Sequence, residues 1–113
     1  MGELQTMEAE LREGILQFLL PLQTTRELNR AAFQKVEQSA SRLASTLKGV
    51  DLVSKGLLKQ LYSTFRVMRA EAPYIRGHEK ELVEMSDRLQ LLFDLIIWNE
   101  APEDRKPGVP RIR

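Results

Sequence analysis

The chain contains no cysteine and a single histidine, His78, among its 113 residues. The first absence excludes disulfides and thiolate metal sites, and it suits a reducing cytoplasm. The second leaves little from which to build a catalytic centre. A general base needs a positioned partner and a substrate site. His78 has only Glu79, Glu81 and Glu84 nearby in sequence, so it reads as a structural or surface histidine. One histidine with scattered carboxylates does not make a convergent metal-ligand set, and no glycine-rich phosphate loop is present. The expectation is a protein that is not an enzyme and needs no cofactor or metal.

Excess charge is also missing. Seventeen basic and sixteen acidic residues leave a net charge of +1, whereas a nucleic-acid binder shows a strong basic excess or stripe. Arg66, Arg69 and Arg76 are diluted by Glu71 and Glu79 and read as a solvated face. Direct contact with nucleic acid is not expected. Nor is a membrane, because no apolar run approaches the roughly 20 residues that span a bilayer. The start, "MGELQTMEAELREG", places acids where a signal peptide carries bases, which points to a cytoplasmic location. Strand signals and internal repeats are absent as well.

What the chain does have is helical periodicity, with 42% apolar and 29% charged residues. Four helices are expected, in one domain over residues 1–100. The first runs from about Glu3 to Leu20 on the stripe Leu4, Met7, Leu11, Ile15 and Phe18. Gly14 weakens it, and Pro21 should end or kink it. Thr24 with Glu27 fits a capping box for the second helix, whose stripe is Leu28, Ala32, Val36, Ala40, Leu43 and Leu47, flanked by Phe33. Lys48 and Gly49 form its C-terminal signal. Asp51 can cap the third helix, which carries Leu57, Leu58, Leu61, Phe65 and Met68. One long helix through Gly49 is an open alternative. The fourth starts between Pro73 and Gly77 and ends near Asn99. The proline-rich tail, residues 101–113, should be extended or disordered. The fold class is therefore all-α: a small antiparallel helical bundle or a long helical hairpin, in either case dimeric.

The segment "ASTLKGVDLVSKG", residues 44–56, resembles the histidine phosphotransfer motif. Ser45 or Thr46 stands where that motif needs histidine, so phosphorelay activity is not expected.

The last helix carries more apolar surface than one face can use. Ile75, His78, Leu82, Met85, Leu89, Leu92 and Ile96 step by three and four, as in a packing seam. Leu91, Leu95 and Trp98 form a second stripe, and Phe93 and Ile97 widen the first. A helix apolar nearly all round must be buried on most sides. The first helix repeats the pattern at "ILQFLLPLQ", where Ile15, Leu16, Phe18, Leu19, Leu20 and Leu22 crowd together. Either these side chains fill the core of a monomer, or one set of them faces another protein. The second alternative makes Phe18, Leu19, Leu22, Leu91, Leu95 and Trp98 the candidate partner or dimer interface. Tryptophan is enriched among binding hot spots. Arg88 would stand at the polar rim with Asp94.

The segment "YIRGHEKELVEMSDRLQLLFDLI", residues 74–96, resembles the C-terminal helix of TraM-like quorum-sensing antiactivators. The resemblance rests on Ile75, Arg76, Glu79, Glu84, Met85, Leu89, Leu92, Leu95 and Ile96, and it needs one insertion between the two halves. It covers about a fifth of the chain. The size, the all-helical pattern and the lack of cysteine are similar to those of QslA-type antiactivators. The resemblance implies a homodimer that binds a LuxR-type transcription activator and blocks its dimerisation or its DNA binding. A small helical secretion or flagellar chaperone is the alternative function.

Overall fold

The computed structural model describes residues 2–104 as four helices, α1 Glu3–Thr24, α2 Arg30–Thr46, α3 Lys55–Glu71 and α4 Glu79–Ile97, with short 3-10 turns at Ala72–Tyr74 and Pro102–Asp104. No strand occurs among the described residues. The long helix through Gly49 does not form, because residues 47–54 leave the helical path.

Three helix boundaries differ from the sequence expectation. α1 runs through Pro21 instead of stopping at Leu20. Proline lacks the N–H that would bond one turn back, but it lies only one turn from the end. Leu22, fully buried, anchors that last turn in the core. The Thr24 hydroxyl donates back to the Leu20 carbonyl at 2.7 Å, so it closes α1 rather than opening α2. The cap of α2 is Asn29, whose side chain accepts from the Ala32 N–H at 3.0 Å. Likewise Ser54, not Asp51, caps α3, its Oγ accepting from the Leu57 N–H at 3.2 Å.

The helix ends otherwise follow backbone chemistry. Gly49 takes φ +80 just after α2, a left-handed value that glycine adopts without strain. Asn99, φ 57, ends α4. The Glu100 N–H donates to the Leu95 carbonyl at 2.9 Å and the Asn99 N–H to the Ile96 carbonyl at 3.3 Å, a Schellman pattern that satisfies two orphan carbonyls.

Each helix packs on two others, α1 and α4 both on α2 and α3. α1 and α2 form one antiparallel hairpin, tied by Phe18 against Phe33 at 5.3 Å and by Glu10 with Arg42 at 3.7 Å. Gly14 faces Val36 of α2. A Cβ there would lie 3.4 Å from Val36 Cγ2, van der Waals contact, so the helix spacing admits alanine and little more. α3 and α4 form the second hairpin, with Phe65 edge-on to Phe93 at 5.6 Å and Arg69 reaching Ser86, Asp87 and Gln90. Between the hairpins the neighbours run parallel. Arg30 pairs with Glu81 and Glu37 with Arg88 along α2 and α4, and Arg26 pairs with Glu71 along α1 and α3. The 47–54 segment therefore crosses one end of the bundle. The extents, 40 × 39 × 21 Å, describe a slab rather than a rod.

The core is continuous and includes Leu11, Phe18, Leu22, Phe33, Leu43, Leu61, Met68, Leu82 and Leu89. Its two buried hydroxyls are satisfied: Thr64 donates to the Gln60 carbonyl and Ser86 to that of Val83, each at 2.6 Å. The start of the expected tail is not extended. Residues 102–104 form a turn, Ala101 is buried, and the turn docks on the end of α2 through Ser45 to Glu103 and Lys48 to Asp104 at 2.7 Å. The rest of the expected tail, 105–113, lies outside the described residues.

Candidate functional surfaces

The two ends of the bundle are chemically unlike. One end holds the α1 C-terminus, the starts of α2 and α4 and the end of α3. It is latched by charge. Arg26 pairs with Glu71 and stacks 5.2 Å over the Tyr74 ring. Arg30 donates to both oxygens of Glu81, and His78 Nδ1 lies 3.4 Å from the Arg30 guanidinium. The Arg30 hydrogen bond holds the Glu81 carboxyl below the usual carboxylate range, the charge attraction adds to it, and partial burial opposes it. His78 is thus a surface residue at the start of α4, with no side-chain cap bond.

The opposite end holds the 47–54 crossing and the C-terminus of α4, and it exposes apolar side chains. Leu52 is 90% exposed, and Val50, Ile97 and Trp98 are 40–51% exposed. Val50, Asp51, Val53, Leu58, Ile96, Ile97 and Asn99 line a shallow cavity of about 360 Å³ there. The reason is local. The crossing must bridge a diagonal, so Val50 and Leu52 lie over the bundle end, while Leu47 is buried and Val53 packs partly against the core. Lys48 and Asp104 supply ionic cover beside it, and Lys48 holds the Asp104 carboxyl low through a hydrogen bond that the Ala101 N–H reinforces.

The sequence-selected interface residues divide. Phe18, Leu22 and Leu95 lie in the core, with at most 1% exposure. They are removed as interface residues, because reaching them would require opening the bundle. Their own chain supplies the cover that the helix pattern left open. Leu91 and Trp98 stay at the surface, 39% and 49% exposed. Leu19 is half-buried against the core. Arg88 is exposed, but it donates to Glu37 at 3.0 Å and lies 5.5 Å over the Phe33 ring, so its first role is to join α4 to α2. Arg66, Arg69 and Arg76 form no common patch: Arg66 donates to the Tyr62 hydroxyl at 2.7 Å and Arg69 is tied to α4.

A second apolar surface includes Leu19 alone of the expected interface residues. Leu16 and Leu20, one turn apart on α1, are 58% and 56% exposed. Beside them runs a groove between α1 and α3, of about 470 Å³, lined by Arg12, Ile15 and Leu19 on one side and Gly56, Lys59, Gln60, Ser63, Thr64 and Val67 on the other. The crowding at "ILQFLLPLQ" signalled the ridge. The facing α3 residues lie some forty-five positions away, and no sequence periodicity links them.

Among the described residues no three His, Asp or Glu side chains are placed to hold a metal ion, and no helix is long and apolar enough to cross a membrane. No protein-family model, no curated protein and no solved structure matches this chain.

Proposed function

We propose that this chain is a non-enzymatic antiactivator, a protein that sequesters a LuxR-type transcription activator through its apolar bundle end and so blocks the activator's dimerisation or DNA binding. The activator class comes from the resemblance of residues 74–96 to TraM-like proteins. The observation that supports a binding role is the apolar end itself, where Val50, Leu52, Ile97 and Trp98 are all substantially exposed. Singly exposed apolar side chains are ordinary, but four gathered at one end of the bundle mark a candidate contact surface.

Magnitude sets how large the contact must be. Completing the burial of these four side chains, three about half-exposed and Leu52 almost fully, is worth on the order of 4 kcal/mol. A micromolar complex needs about 8 kcal/mol net of its association costs. The contact therefore extends beyond the end, and the outer face of α4 through Leu91 and the Arg88 rim is continuous with it along the helix. A homodimer through the same surface would conceal it, so the free protein and the complex should differ in stoichiometry.

The test is co-expression with the LuxR-type activators of the source cell. Their promoter binding is measured by fluorescence anisotropy and the mass of the mixture by light scattering. The expected result is loss of DNA binding with a stable complex, restored by Leu91→Asp with Trp98→Asp. DNA binding that is unaffected for every activator would overturn the proposal.

A further inference from the structure

We propose that the groove between α1 and α3 is a seat for an acidic amphipathic helix of a partner protein. It shares no residue with the apolar end, and it builds on the proposed function only in that both make the chain a protein-binding module.

The groove has the chemistry of a helix acceptor. Its apolar lining is Ile15, Leu19 and Val67, and Leu16 and Leu20, which follow Ile15 and Leu19 directly along α1, are exposed. From Arg12 to Leu19 the α1 side extends two turns, about 10 Å at 1.5 Å per residue. That length meets apolar residues placed one and two turns apart on a docking helix. Gly56 adds no side chain at the end where Arg12 lies, which leaves the groove open there.

Charge selects the occupant. The lining includes two cations, Arg12 and Lys59, and no carboxylate. Elsewhere Arg26, Arg30, Arg42, Lys48, Arg69 and Arg88 each have a carboxylate partner, whereas Lys35, Lys55, Arg66, Arg76 and Lys80 have none within 4.0 Å among the described residues, so what sets Arg12 and Lys59 apart is their place beside an apolar floor. Arg12 and Lys59 have none within 4.0 Å among the described residues, and both are exposed. Two unpaired cations beside an apolar floor complement a helix whose apolar stripe is flanked by Asp or Glu. They repel a basic helix, so they give selectivity and speed encounter more than they add affinity.

The experiment uses the full chain and three labelled helical peptides of about four turns. The first has a leucine stripe flanked by Glu, the second the same stripe flanked by Lys, and the third Ser in place of the leucines. Anisotropy titrations at low and high salt give the affinities. The Glu peptide should bind, the Lys peptide should bind about tenfold more weakly, as expected for two screened ion pairs, and the Ser peptide should not bind. Arg12→Glu with Lys59→Glu should reverse the charge preference while the thermal unfolding midpoint stays put, since both side chains are exposed. Leu16→Ser with Leu20→Ser should weaken both leucine peptides.

Equal binding of the Glu and Lys peptides, indifference to the charge reversal, or no binding at all would overturn the proposal. So would self-association of the free chain that the charge reversal abolishes, which would give the groove to a second copy. None of these outcomes touches the promoter-release assay, which depends on Leu91 and Trp98, so failure of one proposal is separable from failure of the other.

Discussion

The guanidinium of Arg30 grips the carboxylate of Glu81 with two hydrogen bonds, Nε to Oε2 at 2.6 Å and Nη2 to Oε1 at 2.7 Å. The pair joins the first turn of α2 to the first turn of α4, fifty-one residues later, and so joins the two hairpins. Hairpin-to-hairpin registry in a slab of this kind has few other fixed points: Arg88 with Glu37 further along the same pair of helices, and Arg26 with Glu71 between α1 and α3.

Acid should loosen this link. The Glu81 carboxyl lies below its usual range because of the Arg30 hydrogen bond, and Asp104 is lowered by Lys48. A carboxyl depressed in the folded state adds stability that is complete above the unfolded value, about pH 4, and is lost as pH falls through the folded value. Urea unfolding of wild type and Glu81→Gln should therefore differ at neutral pH and converge in strong acid. Identical curves at neutral pH would show that the pair contributes nothing. Because both partners are solvent-exposed, high salt should shrink the neutral-pH difference as well.

The caps give a sharper local test. Ser54 accepts from the Leu57 N–H, whereas Asp51 makes no cap bond. Ser54→Ala should cost about 1 kcal/mol and Asp51→Ala close to nothing. Asn29→Ala should likewise cost about 1 kcal/mol at α2. Chemical denaturation of the three variants checks all of it, and a larger loss at Asp51 than at Ser54 would contradict the α3 boundary.

Much of the fold was legible because periodicity is a direct print of burial. In the α4 seam, Ile75, Leu82, Met85, Leu89, Leu92 and Ile96 are all buried, and only His78 departs, lying at the surface beside Arg30 and Glu81. The α2 stripe behaves the same way from Ala32 to Leu47. Where local signals competed, tertiary packing decided. Thr24 and Glu27 match a capping box, but burial of Leu22 carries α1 past Pro21 and turns Thr24 into a closing residue. The candidate site was less legible for a physical reason. Counting apolar sides of a helix shows how much cover it needs, not which chain supplies it, so Phe18, Leu22 and Leu95 looked like interface and are core. The groove depends on α1 and α3 meeting in space, and Arg12 and Lys59 share no local pattern. Pro-rich composition suggested an extended tail from residue 101, yet Ser45 and Lys48 offer partners that dock residues 103 and 104.

Gly14 separates helix propensity from packing. Alanine there gains up to about 1 kcal/mol of helix propensity, and its Cβ would meet Val36 Cγ2 at 3.4 Å, ordinary contact. Gly14→Ala should therefore hold or raise stability. Gly14→Leu should push α1 off α2 and cost about 1–3 kcal/mol from overpacking. A Gly14→Leu protein as stable as wild type would mean that the hairpin has room the structure does not show.

Leu95 and Trp98 lie three residues apart on one stripe of α4, yet one is buried and the other half-exposed. The same substitution at the two sites should therefore have opposite consequences. Leu95→Asp removes a core side chain, worth about 2–5 kcal/mol, and adds the cost of a buried charge. Against a total of about 5–15 kcal/mol, it should unfold the protein or lower its thermal midpoint sharply. Trp98→Asp, alone or with Leu91→Asp, should leave the midpoint within a few degrees and act on association alone. Circular dichroism melts beside light scattering resolve the two effects. If Trp98→Asp melts the bundle as Leu95→Asp does, Trp98 is part of the core. The apolar end then owes its exposure to Val50, Leu52 and Ile97, and those three residues must carry any contact made there.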